Sequence, residues 1–153
     1  MTSFLDFQIK DKSSYEFNDM NEIVPGLWLG SQPSVIPSNI KYVFSMIGQQ
    51  SHYIQTERVN KGELKVTSVY FEDKPEMSPE KLIHDLAEAI NVCRQDGAVL
   101  VHCMAGMNRS GMVLGLALVK SGMESKQAIK LMRAKRSPSV LFNKVFHDWL
   151  LNQ

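Results

Sequence analysis

Val99-Leu100-Val101-His102-Cys103-Met104-Ala105-Gly106-Met107-Asn108-Arg109-Ser110-Gly111 is the stretch on which the reading of this chain turns. Residues 98–101 form an apolar run too short for a helix and typical of a strand buried on both faces. A glycine-containing turn follows, and helix-like apolar spacing then runs over 112–120. A loop that curls between a strand and a helix N-terminus points successive backbone N–H groups at one centre and adds the positive end of the helix dipole. That geometry suits an anion such as phosphate, and Gly106 lets the backbone curl closely.

Cys103 stands at the rim of this expected cradle. Amide donors, a helix dipole and a nearby arginine favour thiolate over thiol at such a position, and the thiolate is the nucleophile. Arg109 follows after five intervening residues and can swing back to form a planar fork with two phosphate oxygens, which lysine cannot reproduce. Ser110 can donate its hydroxyl to the sulfur when sulfur leaves as thiolate. His102 reads as a hydrogen-bonding residue that orders the loop rather than as a base. Met104, Ala105, Gly106, Met107 and Asn108 supply the phosphate-binding backbone, and the two methionine side chains point either to the pocket rim or to the core. A departing alkoxide or phenoxide needs a proton, so another segment must bring a carboxylic acid. Glu72, Asp73 and Glu76 are the candidates. Asp73 is favoured because it lies just beyond a predicted strand, on a loop able to bend over the cradle.

The rest of the chain bounds this reading. A length of 153 residues fits one domain, and 44% hydrophobic with 22% charged residues is a globular composition. Seventeen basic against 16 acidic residues give a net charge of +1, which argues against nucleic acid or a membrane surface as partner, so anion recognition is expected to be local. Two cysteines are too few for a disulfide framework and point to a reducing compartment, cytoplasmic or nuclear rather than secreted. Cys93 lies on the apolar face of a predicted helix and reads as core. His52, His84 and His147 offer no ligand spacing, so neither metal nor cofactor is expected. The series Lys120, Lys126, Lys130, Arg133, Lys135 and Arg136 reads as a solvated helix face, with a docking surface for acidic substrates as the alternative.

Residues 1–20 read as an arm or short helix ahead of a domain over 21–153. Strands are expected within 23–30, 42–47 and 64–71 from their β-branched and aromatic content. Ser78 reads as an N-cap, with Pro79 at the first position of a helix that runs towards Gly97. Helical spacing recurs over 112–120, 125–135 and 142–151. Strands first and helices afterwards, around a buried strand, give an α/β layer architecture.

His102-Cys103, the five-residue gap and Arg109-Ser110 resemble the H-C-x-x-x-x-x-R-[ST] loop of the protein tyrosine phosphatase superfamily. Ile23-Val24-Pro25-Gly26-Leu27-Trp28-Leu29-Gly30-Ser31 resembles the opening strand of dual-specificity phosphatases, and Ala105-Gly106-Met107-Asn108-Arg109-Ser110-Gly111 is similar to the poxvirus-type loop. Asn143 with Phe146 resembles the N-x-x-F element of that family, and the likeness spans residues 22–151. The resemblance implies a single domain with a central, mostly parallel sheet flanked by helices. It also implies a phosphocysteine intermediate, Asp73 as an acid that later turns base, and phosphorylated proteins as substrates. Asn108 stands where serine is frequent, Gly111 replaces a frequent proline, and the 136–143 segment is one residue longer than usual. Alternatives are the same chemistry on an RNA 5′-phosphate or a phosphoinositide, and a phosphoprotein-binding module without turnover.

Overall fold

Every residue from Val99 to Cys103 is buried, and the sheet is built around that run. The computed structural model describes residues 19–48, 56–77 and 79–153. The expectations for an N-terminal arm up to residue 18, for His52 and for a Ser78 cap lie outside the described residues. The strands are β1 (Met20–Val24), β2 (Leu27–Gly30), β3 (Ile40–Ser45), β4 (Lys65–Ser68) and β5 (Ala98–His102). The helices are α1 (Thr56–Asn60), α2 (Glu80–Arg94), α3 (Arg109–Lys120), α4 (Ser125–Lys135) and α5 (Lys144–Leu151). The sheet order is β1-β2-β5-β3-β4. β5 is parallel to both neighbours and β3 is parallel to β4, whereas β1 pairs with β2 antiparallel. The α/β expectation and the mostly parallel sheet are both observed.

The run 23–30, expected as one strand, is instead a hairpin. Pro25 offers no N–H to a ladder, and Gly26 adopts φ 80, so the chain reverses between Val24 and Leu27. Other boundaries move as well: the strand expected over 42–47 is Ile40–Ser45, and the helices expected over 112–120 and 142–151 begin at Arg109 and Lys144. α2 begins at Glu80 with Pro79 in the N-cap place, one residue later than expected. The strand expected over 64–71 pairs only over Lys65–Ser68, followed by a single Ile47–Tyr70 bridge.

Alternation along β5 divides the interior in two. Val99 and Val101 join Leu27, Leu29 and Phe44 in the larger core with α2 to α5. Leu100 joins Met20, Ile36, Ile40, Val43 and Leu64 in a smaller core. Arg58 of α1 ties the approach to β3 by donating to the carbonyls of Ile36 at 3.1 Å and Ile40 at 2.7 Å.

α3 is apolar around its whole circumference, with residues 110–118 buried, because it packs on the sheet and against α2, α4 and α5 together. Gly115 permits this: a Cβ there would stand 2.5 Å from Leu150 Cδ2 and 2.9 Å from Met132 Cε. Burying each large side chain of this kind contributes about 1.5–3 kcal/mol, and the sum fixes the helix whose first turn carries Arg109 and Ser110. Cys93 of α2 packs against the larger core, where burial pushes its thiol up. Among the described residues no helix is long and apolar enough to cross a membrane.

Candidate active site

The segment from His102 to Asn108 joins the end of β5 to the start of α3, and its carbonyls show which way it faces. His102 O accepts from Met46 N at 2.9 Å, Met104 O from Gln32 N at 3.0 Å, and Met107 O from Leu141 N at 3.1 Å. Arg136 takes the two between, with Nη2 on Ala105 O at 3.0 Å and Nε on Gly106 O at 2.9 Å. Cys103 O accepts from His102 Nδ1 at 3.2 Å. All peptide bonds here are trans, and in a planar trans peptide the N–H points opposite to the C=O. Carbonyls held by an outer ring of donors therefore turn the N–H groups of residues 104–108 to the other side of the loop.

The Gly106 N–H does reach Cys103 Sγ, at 3.3 Å. Gly106 has φ 71, and a Cβ there would lie 2.4 Å from Gly30 C and O and 2.7 Å from Arg136 Nη2. Only glycine fits between the end of β2 and the guanidinium. Cys103 is buried, and its Sγ is 3.1 Å from Ser110 Oγ in the first turn of α3. The carbonyl of Cys103 can only accept, so the shared hydrogen sits on His102 Nδ1. Burial pushes the His102 imidazole from 6.5 down to about 4, opposed by that bond to the Cys103 carbonyl. At neutral pH it is an uncharged donor to the Cys103 carbonyl.

Arg109 opens α3, and its Nη1 donates to Phe71 O at 3.3 Å. Its Nε is buried and has no hydrogen-bond partner among the described residues. Leaving such a donor unsatisfied costs about 1–3 kcal/mol, which an anion seated in the loop would recover.

Of the three candidate carboxylates, Asp73 is the one tied to the loop. Asn108 Nδ2 donates to its Oδ2 at 2.9 Å and Asn143 Nδ2 to its Oδ1 at 2.8 Å. Glu72 and Glu76 flank Lys74 at 3.9 and 3.8 Å in exposed ion pairs of little energetic weight. Asn143 also caps α5, its Oδ1 accepting from Val145 N and Phe146 N. Met104 is 48% exposed at the rim, whereas Met107 packs against the larger core.

Sequence reasoning missed the outer ring. Arg136, expected on a solvated basic face, is half-buried, and its Nη1 also reaches Asn21 Oδ1 at 2.9 Å. Arg133 likewise turns inward, donating to Val140 O at 2.9 Å and Leu141 O at 3.4 Å. Leu141 takes φ 60, a left-handed conformation that costs about 1–2 kcal/mol for a residue with a Cβ. Burial of its side chain and the bonds at both ends of its backbone hold it there.

Residues 27–153 match the family described as dual specificity phosphatase, catalytic domain. The human protein tyrosine phosphatase type IVA 3 is 35% identical over 65 residues, covering 40% of this chain and 38% of that protein. The Dictyostelium discoideum MAP kinase phosphatase with leucine-rich repeats protein 3 is 30% identical over 142 residues, covering 86% of this chain and 15% of that protein. The chain thus spans well under half the length of both relatives. A crystal structure of a mouse putative dual specificity phosphatase, complexed with zinc tungstate, has a TM-score of 0.72 at 18% identity, covering 88% of this chain and 85% of that one. The human tyrosine phosphatase-like serine/threonine/tyrosine-interacting protein has a TM-score of 0.66 at 22% identity, covering 87% and 93%. At such identities the structures speak for the fold alone, and the family match over most of the chain adds the lineage: this chain belongs to the dual-specificity phosphatase catalytic-domain family.

Proposed function

We propose that the chain hydrolyses phosphate monoesters of tyrosine and of serine or threonine in proteins, without a metal, through a phosphocysteine intermediate. The observation that carries this reading is one arrangement. Cys103 Sγ lies against an N–H of the loop, the Ser110 hydroxyl is within reach of the sulfur, and a buried guanidinium donor on Arg109 lacks an acceptor among the described residues.

In the first step Cys103 Sγ attacks phosphorus, the ester P–O bond breaks, and Asp73 gives its proton to the leaving oxygen. The N–H groups of residues 104–108 and the Arg109 fork hold the three equatorial oxygens, where charge is spread in the transition state. In the second step water attacks phosphorus and its proton returns to Asp73. The P–S bond breaks, and Ser110 Oγ donates to the departing sulfur. His102 supports the loop, Asn143 supports Asp73, and the domain expected over residues 21–153 is the catalytic unit, joined by Met20, which opens β1 and is buried in the smaller core. A thiolate nucleophile suits a reducing compartment, cytoplasmic or nuclear.

Phosphate release from phosphotyrosine and phosphothreonine peptides in the presence of a chelator tests the reading, with Cys103→Ser alongside. Release from both by the unaltered chain, and none by the variant, is expected. Release from neither peptide, with phosphopeptide binding intact, would replace this reading with a non-protein substrate or a binding module.

A further inference from the structure

Asn108 occupies the N-cap position of α3, where an asparagine side chain ordinarily accepts from the helix's own N–H groups. Here it makes no such cap bond. Although the residue is only 2% exposed, its amide leaves its own helix altogether. Oδ1 accepts from Asn143 N at 2.8 Å and Nδ2 donates to Asp73 Oδ2 at 2.9 Å. The orientation of that amide is forced. A backbone N–H can only donate, so Oδ1 must face Asn143, and the NH2 is left for the carboxylate. The same logic fixes Asn143, whose Oδ1 serves Val145 N and Phe146 N while its Nδ2 faces Asp73 Oδ1 at 2.8 Å. Each carboxylate oxygen of Asp73 thus receives one amide donor of settled identity. One donor comes from the phosphate loop and the other from the start of α5. Arg109 Nη1 on Phe71 O, two residues before Asp73, gives the phosphate loop a second hold on the same segment.

We infer that Asn108 is a positioning residue for the acid. It joins the phosphate loop to Asp73, so that the carboxyl is already oriented when a phosphoester is seated rather than brought in afterwards by a moving loop. This rests on the proposed phosphatase reading and adds to it how the acid is held. A serine at this position is shorter by the carboxamide and cannot span both Asp73 and Asn143 N. The contact follows from Asn108 itself and not from the loop in general.

A role confined to acid positioning has a signature that a structural role lacks, because substrates with acidic leaving groups need little protonation. Asn108→Ser should lower kcat for phenyl phosphate about 10- to 100-fold more than for 4-nitrophenyl phosphate. In an Asp73→Ala background, the same substitution should change the ratio of the two rates by less than about twofold, since the group it acts through is gone. Asn108→Asp is an isosteric second variant. It keeps the acceptor for Asn143 N while turning an acceptor towards Asp73, and it should show the same leaving-group discrimination. Thermal midpoints of all variants establish that folded protein is compared. Equal slowing of both esters by Asn108→Ser and Asn108→Asp, or a full effect of Asn108→Ser without Asp73, would overturn the inference while leaving the phosphatase reading intact. Failure of the unaltered chain to release phosphate from either ester would overturn the reading beneath it.

Discussion

His102 gives the chain a pH dependence that can be worked out in advance. Its imidazole is fully buried at the end of β5, and burial moves it from 6.5 in the unfolded chain to about 4 in the folded one. Between these values the unfolded state binds a proton that the folded state refuses, so stability rises with pH across the window. The contribution is complete above about pH 6.5 and is lost as pH falls towards 4. A shift of this size corresponds to about 3 kcal/mol in total, of which about 2 kcal/mol is gone at pH 5. Carboxylates titrate over the lower part of the same range, so the measurement is a difference. Urea unfolding of the unaltered chain and of His102→Gln at pH 7.5 and at pH 5 isolates the histidine. Glutamine keeps a donor for the Cys103 carbonyl and has no proton to gain. The unaltered chain should lose about 2 kcal/mol more than the variant between the two conditions. Equal losses, or an imidazole that titrates near 6.5 in the folded protein by NMR, would refute the reasoning.

Gly106→Ala should cut kcat/KM for an aryl phosphate by at least ~100-fold, because the added methyl cannot fit between Gly30 and Arg136; steady-state assay of folded variant checks it. Arg136→Met keeps the length of the stem but leaves the carbonyls of Ala105 and Gly106 without donors. A loss of about 2–4 kcal/mol in chemical denaturation is expected, together with weaker phosphate inhibition. Phe146→Ala, at a side chain with no exposure that meets Phe71 edge to face at 6.5 Å, should cost about 3–5 kcal/mol. Its thermal midpoint should fall by about 2–4 °C for each kcal/mol.

The features legible in the sequence were those written in local chemistry. The apolar run before Cys103, the glycine after it and the spacing to Arg109 specify strand, loop and helix within a dozen residues. α4 occupies 125–135 as its periodicity indicates. Asp73 was separable from Glu72 and Glu76 only by position, and the amides that distinguish it come from residues 35 and 70 positions away. Arg133 and Arg136 were misread for a related reason. A cation on a helix face looks the same in sequence whether its guanidinium enters water or bonds carbonyls, and carbonyl acceptors carry no side-chain signature. The hairpin at Pro25-Gly26 was hidden because both its arms are strand-like, and the reversal rests on one proline and one glycine. Asn108 was visible as a departure from serine, but its partners were not.

The outer ring of donors around the loop also bears on how the protein is made. Gln32 and Met46 are synthesised before Cys103, but Arg136 and Leu141 emerge from the ribosome only after it, and Arg136 also closes onto Asn21, 115 positions earlier. A nascent chain can therefore form strand β5 and expose its thiol well before the loop around that thiol has all its supports. The ring of donors is complete only once residues 136–141 have docked. Until then the carbonyls of Ala105, Gly106 and Met107 lack the donors that hold them in the folded protein.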